Sequence, residues 1–425
     1  MSRAWRPQGA SKGGEQRGRA NKLGLADRLR YRAVVHVTSG EGVMQADRHW
    51  VERNLGFDPI DTPPPASTFA FSRAAKTSDP EDLQREIIDF DSESPAGLQF
   101  LAFTTATGMS RYKDVPWPSG LAPKTGPKPR SGDGPLPKAD VLVVTWTVDE
   151  GHALSRVLTP GKDSHNDYVS YTHNFATIAK KMRAGCPALE AKRLGAFWTT
   201  TIGTKKVVIF KSDSHMSQDG PKLPNIDVWR QIITEVRPSL VITTGTSGGI
   251  GQAVEVGDVI VSPMVRFDCT SKFKSEPFAQ AHYESVAANT KEFTTAQSLF
   301  KVNAGQLPKD NTRLPKIITV AANALTSAVV TTDFFGFDTS DNHYKLQGLG
   351  DCSEMGDAVL GLVAKEMGAQ APHWLAIRNV SDPQIKADGM TLKQQAALAA
   401  NIYKGFGRWS TVCSAITCWA SIVAV

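Results

Sequence analysis

The amino-acid sequence predicts an α/β fold over residues 139–425, a three-layer α/β/α sandwich. Three observations carry that expectation. Runs rich in Val, Ile and Leu recur without polar alternation, as strands covered on both faces require. These runs interleave with helical candidates, the order that builds α/β layers. Residues 240–263, LVITTGTSGGIGQAVEVGDVIVSP, then run from one apolar strand through a glycine-rich turn directly into a second.

Taken in order, the chain opens with an N-terminal accessory region, 1–116, expected to be partly disordered. Arg3, Arg6, Lys12, Arg17, Arg19, Lys22, Arg28 and Arg30 face only Glu15 and Asp27 there, interleaved with Gly, Ser and Gln. Such a tail reads as solvated disorder ahead of a nucleic-acid arm. A strand is possible at 32–37 and an acidic stretch runs over 79–93, neither with a recognisable constellation. Residues 117–138, WPSGLAPKTGPKPRSGDGPLPK, are a Pro/Gly-rich linker, semi-extended because proline restricts the backbone. Strand candidates follow at 141–145, 196–201, 206–210, 240–243, 258–263, 317–321, 328–332 and 374–378. Helical candidates are 227–236, 292–301, 358–366, 392–403 and a terminal segment at 409–425. In that segment Ser410, Ser414, Thr417 and Ser421 mark a narrow polar stripe at helical spacing, which fits a helix buried against a core or a dimer face. It is shorter than the roughly 20 residues of a membrane span, so no membrane partner is expected.

Bulk properties narrow the class. With 425 residues, 41% hydrophobic and 21% charged, the chain has the balance of a soluble globular protein. The net charge of +6 is modest and concentrated at the N-terminus, so nucleic acid is not the expected partner. Five cysteines without CxxC spacing read as small core residues in a reducing compartment and suggest no zinc site. With no apolar signal segment at the start, a cytoplasmic location is expected.

Glycines at the carboxyl end of a strand let backbone N–H groups approach a ligand. Thr244 to Gly251 also fits the TGxxxGIG turn of short-chain dehydrogenases. That turn must open a helix cradling a pyrophosphate, whereas here a tight turn and a strand follow. No tyrosine is followed four residues later by lysine, and the dehydrogenase reading falls.

Three motifs fall at predicted strand ends: LVVTWTVDE at 142–150, the turn at 244–249, and the pair CSEMGD at 352–357 with IRNVSD at 377–382. In this order they resemble the nucleoside phosphorylase and nucleosidase superfamily, with methylthioadenosine/S-adenosylhomocysteine nucleosidases the nearest pattern. The resemblance implies a central twisted, mixed sheet. It also implies a purine nucleoside or nucleotide as small-molecule substrate, no cofactor or metal, and a homo-oligomer, dimer or hexamer.

Cleaving a purine N-glycosidic bond passes through an oxocarbenium-like sugar. It needs an acid for N7, a clamp on the ribose hydroxyls and a nucleophile. The resemblance assigns the acid to Asp382 of RNVSD, next to Ser381, with a pKa raised by desolvation against the base. Phosphorylases of the superfamily commonly carry a phosphate-binding arginine before the glycine turn, where Thr243-Thr244 stands here. Asp149-Glu150 instead matches the acidic run of the hydrolases, with Glu150 as base toward a water and Thr246 beside it. Ser247 and Gly248 of the same turn are expected against substrate. The ribose clamp departs from the nucleosidase pattern E-M-E: this chain reads Glu354-Met355-Gly356-Asp357, so Glu354 or Asp357 takes over while Met355 lies beneath the sugar. Phe335 of TTDFFGFD is expected to stack on the base, and Asp333 to support that loop. The stretch from Lys211 to His215 reads as a surface loop ahead of a 5′-phosphate site. Arg266 is a second candidate for phosphate or an inter-subunit contact.

The expected activity is therefore a purine nucleoside or nucleotide N-ribohydrolase. The rivals are a phosphate-dependent phosphorylase, a non-catalytic nucleotide sensor and a nucleotide-depleting effector.

Overall fold

A computed structural model describes residues 114–129, 131–162, 167–184, 186–216, 223 and 225–425. The basic run before Arg32, the strand at 32–37 and the acidic stretch at 79–93 lie outside the described residues.

The first half of the described chain supplies β1 (Lys124–Thr125), β2 (Val141–Thr145), α1 (Val148–Leu158), β3 (Val169–Tyr171), α2 (Phe175–Ile178), α3 (Pro187–Ala191), β4 (Gly195–Ile202) and β5 (Lys205–Ser212). Next come α4 (Asn225–Val236), β6 (Leu240–Gly249), β7 (Val259–Ser262), β8 (Met264–Asp268), β9 (His282–Glu284) and α5 (Phe293–Leu299). The chain ends with β10 (Ile317–Thr319), β11 (Val329–Thr332), β12 (Cys352–Glu354), α6 (Asp357–Met367), β13 (His373–Asp382) and α7 (Leu392–Val423). The thirteen strands join one sheet, whose main path runs β1-β4-β5-β2-β6-β12-β11-β8-β9. Pairs such as β2–β6 are parallel and others such as β4–β5 antiparallel, so the sheet is mixed, as expected.

Strand β2 shows why the apolar runs do not alternate. Val141 and Val143 enter one core, shared with α1, α5 and α7. Leu142 and Val144 enter the other, shared with α4 and α6. Every side chain of the strand is buried, and each face has its own helical layer.

Strand β6 is the hub. It pairs with β2 over Leu240 to Thr243, with β13 along almost its whole length, and with β12 through Gly248 and Gly249. This corrects the expected end of the strand at Thr243. The glycine stretch does not turn, because β13 supplies ladder partners as far as Gly248. Glycine is required within it: Gly245 has φ +146°, and a Cβ there would lie 2.4 Å from the Glu150 carboxyl carbon.

A second correction concerns the C-terminal region. The expected helices at 392–403 and 409–425 are one helix of 32 residues, started by a capping box between Thr391 and Gln394. Two glycines weaken helix propensity at the expected break, but tertiary contact overrides it. A Cβ at Gly407 would lie 3.4 Å from Thr246 Cγ2, so this glycine lets the helix pass close to β6. The polar stripe faces the core: Asn379 of β13 donates to Ser410 Oγ (2.6 Å) and accepts from Ser414 Oγ (2.8 Å). Residues 410–422 are buried within one chain, so the core reading holds over the dimer face. No helix of the described residues is long and apolar enough to cross a membrane. All five cysteines are buried thiols.

Candidate active site

The ends of β2, β5, β6, β12 and β13, with the start of α1, line one cleft.

Glu150 forms part of its wall through a local device. Thr147 is the N-cap of α1 and Glu150 the third residue, together a capping box. Glu150 Oε2 accepts from Thr147 N (2.9 Å), Trp146 N (3.0 Å) and Thr145 Oγ1 (2.7 Å). Its Oε1 accepts from both Thr246 N and Thr246 Oγ1, each at 2.7 Å. Burial alone would push this carboxyl up. The charge of Arg378 and the hydrogen bonds from Thr147 and Thr246 outweigh it and hold Glu150 below its ordinary value. The helix-start role and the cleft role thus coincide, with the carboxylate kept anionic and out of bulk water.

Asp382 ends β13 on the same cleft. The register between β13 and β6 slips between Val380 and Asp382, a bulge that re-aims the last side chain. Its carboxyl lies over Gly248, where an added Cβ would come within 3.1 Å of Oδ2. Ser381 Oγ donates to Asp382 Oδ1 (2.7 Å). Burial drives the Asp382 pKa up to about 7 against that one hydrogen bond, and among the described residues no ion pair holds the carboxylate down. Two carboxyl groups on one cleft are thereby pushed in opposite directions, the arrangement that separates an acid from a base.

The same cleft is lined by Arg378, a residue the sequence reading left without a role. It is buried at 2% exposure in a strand otherwise fit for the core. Arg378 Nε donates to Asp357 Oδ2 (2.8 Å) and Nη2 donates to Asp357 Oδ1 and, at 3.3 Å, to Glu354 Oε2. Its guanidinium carbon also lies 4.7 Å from the centre of the Trp146 ring. A charged residue inside an apolar strand demands buried counter-ions, and Glu354 and Asp357 were the signal for them. Burial and the charge of Asp357 push Glu354 up, with Arg378 opposing.

Of the other expected residues, Thr246, Ser247, Gly248, Phe335, Glu354, Met355 and Ser381 all line the cleft. Phe334, by contrast, turns away onto Tyr344, ring centres 5.1 Å apart. Asp333 takes the backbone N–H groups of Thr270, Ser271 and Phe273, and so braces a neighbouring loop. Two residues are not brought to the cleft. Asp357 stands behind it as the bidentate partner of Arg378. Arg266 lies on β8, three strands from β6 in the sheet order, roughly 14 Å away at the usual strand spacing.

Nor does the stretch from Lys211 to His215 form a surface loop. Lys211, Ser212, Asp213 and His215 line the cleft. Lys211 Nζ and Arg193 Nε each donate to Asp213, both at 2.5 Å, so the two cations share one carboxylate. Burial, then the charge of Arg378, lowers His215 to about 3 and keeps it neutral.

The family model of the phosphorylase superfamily matches residues 170–405 of this chain. No curated protein matches it. Similar solved structures include 5′-methylthioadenosine/S-adenosylhomocysteine nucleosidase from Neisseria meningitidis with methylthio-immucillin-A, at 16% identity and a TM-score of 0.42 over 67% of this chain and 99% of that one. A putative nucleosidase of the same description from Borrelia burgdorferi B31, bound to adenine, is 14% identical with a TM-score of 0.43 over 67% and 100%. The futalosine hydrolase of Helicobacter pylori strain 26695 is 11% identical with a TM-score of 0.41 over 67% and 97%.

Proposed function

This chain belongs to the phosphorylase superfamily, and within it we propose that it is a purine nucleoside or nucleotide N-ribohydrolase that releases the free base. One observation carries the reading. The cleft holds an acid with a pKa near 7, Asp382, and a carboxylate held anionic, Glu150.

In the proposed reaction Asp382 gives its proton to N7 of the purine as the C1′–N9 bond breaks, and the base leaves with the bonding electron pair. A water oxygen bonds to C1′ from the opposite side. Five donors fill the lone pairs of Glu150, so the water reaches it through Thr246: the Thr246 hydroxyl takes the water proton as it passes its own to Glu150 Oε1. The products are free base and free sugar. Assistance of this kind is typically worth about 10²–10⁴-fold per group.

Hydrolysis is favoured over phosphorolysis by the state of the cations. Both basic side chains of the cleft wall have carboxylate partners, Arg378 with Asp357 and Glu354, and Lys211 with Asp213. A phosphate would have to displace one of these ion pairs.

Chromatography of a panel of adenosine, inosine, methylthioadenosine, S-adenosylhomocysteine, AMP and ATP incubated with the protein tests the reading. Base is released from at least one member by the native chain, and Asp382→Asn slows that release by about 10²–10⁴-fold. Full activity in the variant would remove Asp382 from its role, and the absence of release from this panel and from 2′-deoxyadenosine and 2′-deoxyinosine alike would favour a nucleotide sensor.

A further inference from the structure

We propose that the sugar subsite of this cleft is fitted to a 2′-deoxyribose, and that Trp146 and Gly356 together set this preference. The inference rests on the N-glycosidase chemistry proposed above. A ribose brings two neighbouring hydroxyls whose protons need acceptors once water has left, and carboxylates are the strongest available. Four carboxylates line the cleft: Glu150, Asp213, Glu354 and Asp382.

Glu150 and Glu354, bonded to the backbone N–H groups of Trp146 and Gly356, have no lone pair left for a sugar hydroxyl. A carboxylate offers about four lone-pair sites. Glu150 already accepts from five donors. Glu354 accepts from four, namely Thr331 Oγ1, Asp357 N, Gly356 N and Arg378 Nη2. Asp213 is the shared counter-ion of Lys211 and Arg193. Asp382 belongs to the base.

Position 356 cannot add another. A Cβ there would lie 2.8 Å from Trp146 Cζ2, so the indole occupies the room a side chain would need. The backbone N of Trp146 is bonded to Glu150 while its ring abuts Gly356, so it spans the wall from the Glu150 end to the Glu354 turn. Arg378 covers the ring at 4.7 Å and fixes it there. Trp146 Nε1 is buried without a partner, but it is a donor and cannot receive a hydroxyl proton. Along this stretch the sugar meets indole carbon and the Met355 thioether. Such a surface suits the methylene at C2′ of a deoxyribose, whereas a 2′-hydroxyl set against it would lose its hydrogen bonds to water.

The test is calorimetric binding to full-length Asp382→Asn, in which the ligands are not consumed, of adenosine against 2′-deoxyadenosine and inosine against 2′-deoxyinosine. Loss of the 2′-hydroxyl in itself eases formation of the oxocarbenium ion, so the binding ratio rather than the rate ratio is the readout. Deoxynucleosides are expected to bind roughly 5- to 100-fold more tightly, the order set by one hydroxyl that loses its hydrogen bonds to water. Adding Trp146→Ala with Gly356→Glu, which opens the space and fills it with a carboxylate, is expected to cut that ratio at least about tenfold. Equal binding of the two sugars, or tighter binding of ribose, to the Asp382→Asn chain overturns the proposal whether or not the triple variant folds. A deoxy preference with no base release by the native chain sinks the hydrolase reading and leaves the subsite. Base release with a ratio of one does the reverse, and failure of all four ligands to bind overturns both.

Discussion

At the scale of single residues the account turns on two carboxyl groups in opposite protonation states. Asp382 must carry a proton, so kcat/KM is expected to fall as pH rises through about 7, the value to which burial raises it. Glu150 must be ionised, and its lowered pKa moves the acid limb of the profile well below neutrality. The two groups act on stability with opposite sign. Asp382, raised in the fold, contributes stability fully at pH below the ordinary aspartate range, and that contribution is lost as pH climbs through about 7. Glu150, lowered in the fold, contributes above the ordinary glutamate range and loses its share as pH falls through its folded value. A pH–rate profile of the native chain checks the first statement: a fall with an apparent pKa near 7 is expected, and a rate that keeps rising above pH 8 would contradict it. The two residues were legible in the sequence because each ends a motif at a strand end. Arg378 and Trp146 were not, since their importance comes from partners distant in the chain: Asp357 is 21 residues from Arg378, and the ring of Trp146 packs under Arg378 itself.

At the scale of elements, β6 organises the site by continuing where propensity says it should stop. Gly245 holds φ +146° and leaves room for the Glu150 carboxyl group, so Gly245→Ala is expected to strain the backbone and displace that carboxylate at once. The predicted result is a folded protein with base release at least about tenfold slower, together with a lowered thermal midpoint. Unchanged kinetics would show that the Glu150 position does not matter. The glycines were read as a turn because a sequence shows weak strand propensity but not the ladder with β13 that compensates for it. The split of α7 failed for the same reason. Its glycines look like a break, yet Gly407 serves the close approach of helix and Thr246. Elements whose own residues form an unbroken apolar run, such as β2 and β5, were placed within a residue or two of their observed ends.

At the scale of the whole molecule, a mixed sheet between two helical layers brings chain segments more than 200 residues apart onto one cleft, with Glu150 from the start of α1 and Asp382 from the end of β13. The layered architecture was readable because burial on both faces leaves its mark in composition. The state of the cleft's charges was not, because pairing of Arg378 and Lys211 is a property of the assembled fold. That pairing carries the central claim that water and not phosphate is the nucleophile. Base release in ¹⁸O-labelled water, with and without added phosphate, tests it most directly, with the sugar product analysed by mass spectrometry. The account predicts one ¹⁸O at the anomeric carbon of a free sugar and a rate indifferent to phosphate; a sugar 1-phosphate without label, formed only when phosphate is present, would contradict it.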